Sequence, residues 1–427
     1  MAKNNIIEVR LFDLEIGRLG YDMDKRASYF QYNPEFLESN RYNNIFPYIF
    51  KRIKPVQVFT IYEGETFRGL PPMIADSLPD MFGNIIFKEW FETKNKEFKK
   101  ITPLEQLTYV ANRGMGALEY RPVAKIPKST TINIEEIVEV INKMLNLKNE
   151  TSEKELSDLA LLNIFKIGTS AGGTRPKILI SEHKETGEII PGDMEYSDAY
   201  NHYLVKLCMN EEGEKEYNKE KVEYAYYLMA KEVGIQMMPS KLIDNKHFAT
   251  LRYDRQNGEK QHVLTSSGLT GWDFKKSADA SYENVFKLAL DLKVPYKDIQ
   301  ELYRRMVFNI VFANIDDHLK NHSFIYDKET NLWHLAPAYD LTYPLNINLN
   351  YSNVSRALSI NNKRDNITLE DIMTIAEDFA IKNPKGIIKE IQEVTKSWNK
   401  ITKKIEISER VRNGIKKEFH SLINPKD

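Results

Sequence analysis

The sequence predicts an α+β chain in three parts: a small N-terminal α+β domain, a sheet with one inserted helix, and a mainly helical second half. Three observations carry this. Short β-like runs cluster before residue 70 and again between about 160 and 254. One helical pattern, 221–233, interrupts the second cluster, and beyond Asp254 helical periodicity dominates. Consecutive short strands around a single helix favour an antiparallel sheet over a doubly wound one.

In the first part, Ile7 to Leu14 alternates as a strand, Gly17 to Gly20 reads as a turn, and Val56 to Tyr62 is a second extended run. The Pro-rich stretch from Gly69 to Asp80 is irregular, with helical pattern after it. Thr102-Pro103-Leu104-Glu105 has a hydroxyl cap, a first-turn proline and a glutamate suited to a capping box. That helix is expected to reach about Arg113, where Gly114 and Gly116 stop it. Residues 1–125 form the N-terminal domain, with no chemistry visible in it, and 126–158 read as a connector with a helical pattern over Ile134–Met144.

In the second part, 159–254, strands are expected over Asn163–Lys166, Lys177–Ile180 and His202–Leu207. The helix Lys221–Val233 places Val222, Ala225, Tyr226, Met229 and Val233 at helical spacing, with Gly234 as its cap. Strands Met237–Ile243 and Phe248–Tyr253 follow. In the third part, 255–427, helices are expected over Tyr282–Leu292 and Lys297–Ile315. A hairpin then pairs His322–Tyr326 with Leu332–Leu335. A further helix starts at Thr368 and is broken by Pro384, and helical pattern runs through 386–420.

Composition narrows the function classes. A chain of 427 residues, 42% hydrophobic and 28% charged, is an ordinary globular protein of two or three domains. Sixty basic against sixty-one acidic residues leave no global field for nucleic acid or membrane. The single cysteine, Cys208, excludes an intramolecular disulfide and a Cys-based zinc cluster, and fits a reducing cytoplasm. The polar start Met-Ala-Lys-Asn-Asn is unlike a signal peptide, and no apolar run reaches the roughly 18–20 residues of a membrane helix. The expected location is the cytoplasm.

The chemistry concentrates in Met306–Asp327, where an apolar run ends in Asp316, Asp317, His318, Lys320 and Asn321. Asp316 and Asn321 have the spacing of an aspartate base and a metal-ligating asparagine in kinase catalytic loops. Asp316 would orient a substrate hydroxyl, and Asn321 would offer its carbonyl oxygen to Mg²⁺. Asp340, across the predicted hairpin, is the candidate second metal ligand. Gly168-Thr-Ser-Ala-Gly-Gly-Thr174 lets backbone amides approach phosphate, although taken alone a plain hairpin turn explains it better. Lys206, mid-strand among apolar residues, needs a partner if it faces inward, and Glu223 on the next helix is the candidate; alone, Lys206 also fits an edge strand facing water. His318 and His322 lie four apart, but on a loop-to-strand transition without a third strong ligand, which disfavours zinc.

With these residues in place, the sequence resembles the HipA family of serine/threonine kinases, the toxins of type II toxin–antitoxin systems. Phe46–Asp80 and Met115-Gly-Ala-Leu118 resemble the family's N-terminal domain. Ser170-Ala-Gly-Gly-Thr-Arg-Pro-Lys177 resembles its phosphate loop, and His202–Leu207 its lysine strand. Leu228–Gly234 and Arg252-Tyr-Asp-Arg255 are similar to its helix and hinge. Asn314–Asn321 and Pro337-Ala-Tyr-Asp340 are similar to its catalytic and metal loops. The segment Leu264–Phe274 departs from the family's usual pattern.

The resemblance implies a bilobal protein-kinase-like fold of HipA type, using ATP and Mg²⁺ to phosphorylate a protein. Asp316 would be catalytic, and Asn321 and Asp340 would ligate metal. Ser170, Gly172, Gly173, Thr174, Arg175, Lys177, Lys206, Tyr253, Asp254, His318 and Tyr339 would surround ATP. Glu223 would partner Lys206, and Ser170 would be the site of autophosphorylation. It further implies an aminoacyl-tRNA synthetase as target class, arrest of translation and growth, and a separate helix-turn-helix antitoxin. Two alternatives remain at this stage: an ATP-binding, non-catalytic subunit of a repressor complex, and a kinase for small molecules.

Overall fold

The computed structural model describes residues 6–79, 81–93, 97–124, 133–146, 175–192, 197–209, 217–276, 278–345 and 354–422. The expected strand Asn163–Lys166 and glycine loop 168–174 lie outside these residues.

Five antiparallel strands open the chain: β1 (Ile6–Leu11), β2 (Leu14–Asp22), β3 (Ala27–Tyr32), β4 (Val56–Phe59) and β5 (Leu118–Arg121), in the order β4-β3-β2-β1-β5. Ile7, Val9 and Leu11 alternate inward along β1 to start the core. The expected turn at Gly17–Gly20 is instead the middle of β2. A Cβ on Gly17 would lie 2.2 Å from the Gln31 carbonyl oxygen, so glycine there serves close strand approach. The turn falls at Phe12, which takes the left-handed φ of 53°. Helices α1 (Pro34–Glu38), α2 (Pro72–Ala75), α3 (Met81–Thr93) and α4 (Pro103–Val110) complete this part. Thr102 caps α4 by accepting from the Glu105 N–H at 3.0 Å. That helix ends earlier than expected, at Ala111, whose φ of 49° breaks it before either glycine.

The second sheet has the order β7-β6-β8-β10-β9 and is antiparallel throughout, as the strand pattern predicts. Its strands are β6 (Lys177–His183), β7 (Ile189–Pro191), β8 (Tyr200–Lys206), β9 (Ser240–Ile243) and β10 (His247–Leu251). One face carries Ile178, Ile180, Tyr203, Val205 and Ala249. These pack with Phe87, Trp90 and Phe91 of α3 and with Ile134, Ile137, Val138 and Ile141 of α5 (Ile134–Asn146). The stretch expected as a connector therefore contributes a helix to this core. Strand alternation turns Lys177 and Lys206, register partners, to the opposite face, toward α6 (Lys219–Glu232).

The short ribbon β11 (Arg255–Gln256) and β12 (Glu259–Lys260) leads into β13 (His262–Thr265), α7 (Ser266–Thr270), α8 (Tyr282–Asp291) and α9 (Tyr296–Val311). The predicted hairpin is present as β14 (Ser323–Asp327) and β15 (Leu332–Leu335), and β13 joins it as a third strand that the pattern did not show. α9 stops at Val311 rather than Ile315, so an irregular segment separates the helix from Asp316. Among the described residues, four α-helices follow: α10 (Leu369–Asp378), α11 (Pro384–Val394), α12 (Trp398–Lys404) and α13 (Glu409–Lys417). Thr368 and Asp371 form a reciprocal capping box on α10, and Pro384 sits in the first turn of α11, where its missing N–H costs nothing. Among the described residues, no helix is long and apolar enough to cross a membrane.

Candidate active site

The site is built where the second sheet meets the loops after α9 and β15. Lys206 Nζ lies 2.7 Å from Glu223 Oε1 and is also hydrogen-bonded to Asp340 Oδ1. The three residues come from β8, α6 and the loop after β15, so a strand lysine, a helix carboxylate and a loop aspartate meet at one point. Burial alone would lower the Lys206 pKa. The two carboxylates outweigh it and hold the ammonium above the ordinary lysine value. Burial likewise acts to raise Asp340, but Lys206 wins and holds that carboxyl well below the usual range. Glu223, almost wholly buried, is pushed up by desolvation despite the lysine.

Asp340 is seated by its backbone. Ala338 N donates to the Gln236 carbonyl at 2.7 Å, and Ala338 forms a parallel bridge with Met237, which ties the loop after β15 to the residues before β9. Asp340 itself has φ 57°, a conformation that aspartate tolerates better than most residues. Lys177 is buried beside Lys206 and adds positive potential at Asp340. Arg175 lies 3.5 Å from Glu220 in the first turn of α6. Lys177 and Lys206 thus act on Asp340, while Arg175 pairs with the neighbouring Glu220.

The loop after α9 separates its carboxylates by environment. Asp316 is exposed, while Asp317 is wholly buried. Asn321, in a single 3₁₀ turn, donates its side-chain N–H to the Asp316 carbonyl at 2.8 Å, a bond that does not use its side-chain oxygen. Desolvation within the cleft raises the Asp316 pKa; His318 opposes this, and the Asp340 and Asp317 charges add to it. Asp317 accepts from Tyr282 Oη at 2.7 Å, from Arg356 at 2.7 Å and from Leu358 N at 3.3 Å. It is a structural anchor, as its position behind the loop requires.

Tyr253 and Tyr339 stack at 5.8 Å, and Tyr339 Oη bonds Ser323 and donates to the Lys320 carbonyl at 2.6 Å. His318 packs on Phe274 at 5.1 Å, whereas His322 packs on Tyr282 at 5.5 Å and is pushed down to about 4 by burial. The two histidines face different neighbours. Asp254, expected near ATP, lies in the interior with no exposed side-chain surface. It binds Arg252 Nε at 2.9 Å, Arg255 at 2.7 Å and the Gly116 N–H at 2.8 Å, so its oxygens are filled by the joint between hinge and N-terminal domain. Ser170, Gly172, Gly173 and Thr174 lie outside the described residues. Sequence reasoning missed Arg356, Tyr282 and Phe274, whose partners are all distant in the chain.

The donor set at Asn321 and Asp340 is oxygen only, which suits a hard divalent cation such as Mg²⁺. Lys206, Lys177 and Arg175 supply the charge that a polyphosphate needs. Elsewhere, Glu135, Asp244 and His247 approach one another closely enough to share an ion. His247 Nδ1, however, accepts the Cys208 N–H at 2.9 Å, so the neutral ring carries its proton on Nε2 and presents a donor there rather than a lone pair.

The HipA-like C-terminal domain matches residues 169–398 and the HipA N-terminal domain matches residues 7–121. A chain of the Shewanella oneidensis MR-1 complex of HipA, HipB and operator DNA superposes with a TM-score of 0.67 at 16% identity, over 96% of this chain and 95% of that one. Two curated relatives are named as candidate kinases. Y4dM of Sinorhizobium fredii is 27% identical over 135 residues, 28% of this chain and 32% of its own length. A Haemophilus influenzae protein is 29% identical over 137 residues, 28% of this chain and 39% of its own length. The matched regions thus span only about a third of these relatives. The whole-length structural likeness shows the fold: bilobal, protein-kinase-like, with a small N-terminal α+β domain and a mainly helical C-lobe.

Proposed function

The chain belongs to the HipA family, and from that premise we propose that it is an ATP-dependent protein kinase acting on serine or threonine. The observation that carries the reading is the meeting of Lys206, Glu223 and Asp340 from three separate elements, beside a loop that presents Asp316 and Asn321. A non-catalytic ATP-binding subunit has no need of an exposed carboxylate with a raised pKa, so this set favours the enzyme.

Lys206, held charged and oriented by Glu223, binds the α- and β-phosphates. Arg175, Lys177 and the loop Ser170, Gly172, Gly173 and Thr174 cover the phosphates. Tyr253 and Tyr339 form the apolar wall near adenine, and His318 borders the nucleotide from the catalytic loop. Asp316 accepts a hydrogen bond from the substrate hydroxyl, orients it in line with the γ-phosphoryl group and takes its proton. Asn321 and Asp340 would hold Mg²⁺, which when bound neutralises charge developing on the transferred phosphoryl oxygens. A raised Asp316 pKa suits a group that must take up a proton during transfer.

The fold neighbour is a component of a HipA–HipB–operator complex, which supports a separate DNA-binding antitoxin of helix-turn-helix type as partner and the cytoplasm as location. An aminoacyl-tRNA synthetase is the target class to test first, with arrested translation and growth as the outcome. Ser170 is the proposed autophosphorylation site. The test is to incubate the purified protein with labelled Mg²⁺–ATP and host lysate and to map phosphosites by mass spectrometry. Label on serine or threonine of a protein supports the reading. Label only in small metabolites, or a thermal shift with ATP and no transfer, overturns it.

A further inference from the structure

One carboxylate of the N-terminal domain reaches the loop that carries Asp316 and Asn321. Asp76 follows α2, and its side chain is 10% exposed. Its Oδ2 accepts from the Thr265 N–H at 2.9 Å and from Thr265 Oγ1 at 2.7 Å, and its Oδ1 lies 3.7 Å from Lys320 Nζ. Ser266, the first residue of α7, continues the connection: its N and Oγ donate to the His322 carbonyl at 2.7 and 3.0 Å. Residues on both sides of Asn321 are therefore tied to one unit, Asp76–Thr265–Ser266. The Lys320 ammonium also lies over the Phe274 ring at 5.4 Å. Gly268 makes room for this arrangement, because a Cβ there would lie 2.2 Å from Asp76 Oδ2.

We propose that Asp76 is a positioning residue for the catalytic loop, so that the N-terminal domain completes the phosphoryl-transfer site. The inference rests on the kinase reading above. Lys320 and Thr265 are the handles: a charge contact on one side and two hydrogen bonds to a single carboxylate on the other fix the turn that aims Asn321. A small displacement of that turn moves Asn321 relative to Asp340 and Asp316, and misplacement of about 1 Å costs on the order of 10²-fold in rate.

The test uses the full chain and the variants Asp76→Asn, Lys320→Met, their double, and Gly268→Ala. Asp76→Asn is expected to lower kcat by about 10- to 100-fold while KM for ATP stays within about twofold. The Mg²⁺ concentration for half-maximal transfer is expected to rise, and the double variant to be no worse than the poorer single. Gly268→Ala keeps every charge and favours helix, yet should reproduce the loss by displacing Asp76. A readout independent of activity is acylation of Lys320 in the nucleotide-free protein, measured by mass spectrometry against exposed Lys417; Asp76→Asn should increase it severalfold. Unchanged Mg²⁺ dependence, additive losses or unchanged Lys320 labelling would overturn the proposal. If the wild-type chain transfers no phosphate, the kinase reading fails, while the labelling ratio still decides whether Asp76 holds Lys320.

Discussion

Asn321 donates its side-chain N–H to the backbone carbonyl of Asp316 at 2.8 Å, so two residues five positions apart are locked across one turn. The bond engages the amide nitrogen and does not use the amide oxygen. Asn321→Ala removes both. It is expected to raise the Mg²⁺ requirement and to lower kcat by about 10²-fold or more, since ligand and loop support fail together. Steady-state kinetics over a Mg²⁺ series checks this.

Asp317→Asn should act on stability instead. Its buried carboxylate faces Arg356 at 2.7 Å, and an amide leaves that guanidinium without its counter-charge. Removing one partner of a buried pair costs about 3–5 kcal/mol. A thermal melt should show a large drop in Tm, with any remaining folded protein retaining phosphate transfer.

Asp316→Asn should do the reverse. A carboxyl whose folded pKa is raised opposes folding wherever it is ionised in both states. The wild type therefore carries a cost at neutral pH that disappears as pH falls below the unfolded value, about 3.8. The variant is expected to melt higher than wild type at pH 7, with the difference closing toward pH 3.5. Solvent at this exposed side chain keeps the gain small.

Asp254→Asn tests the joint between the hinge and the N-terminal domain. Burial acts to raise this carboxyl, but Arg252 and Arg255 hold it well below the ordinary carboxylate range. Its stabilisation is therefore present above the unfolded pKa and lost only as pH falls through the depressed folded value. The variant leaves two buried guanidinium groups under-compensated, at a cost of about 3–5 kcal/mol. Limited proteolysis should then cut near Gly114–Gly116, where wild type resists.

What was legible in the sequence was what lies close in the chain or carries strong periodicity. The Asp316–Asn321 spacing, the Lys206–Glu223 pairing and the antiparallel order of the second sheet all belong to that kind. Long-range contacts were not legible. Asp254 sits beside a tyrosine that lines the proposed nucleotide wall, yet its partner Gly116 is 138 residues away, and nothing local marks the carboxylate as buried. Asp76 lies within the proline-rich stretch that reads as irregular loop, and its partner Thr265 lies 189 residues on. Gly17 was misread because glycine signals a turn more often than a close strand contact, while the turn itself used Phe12 at positive φ. The role of α5 was hidden for a related reason: an amphipathic helix shows that it has an apolar face, not which sheet covers it.

The central claim is that Asp316 performs the proton-accepting step, and transfer of labelled phosphate by Asp316→Asn tests it most directly. The substitution preserves size and fold, so ATP binding should be retained and Tm should lie slightly above that of wild type, while transfer falls by at least about 10²-fold. Transfer at near wild-type rate in that variant would contradict the account.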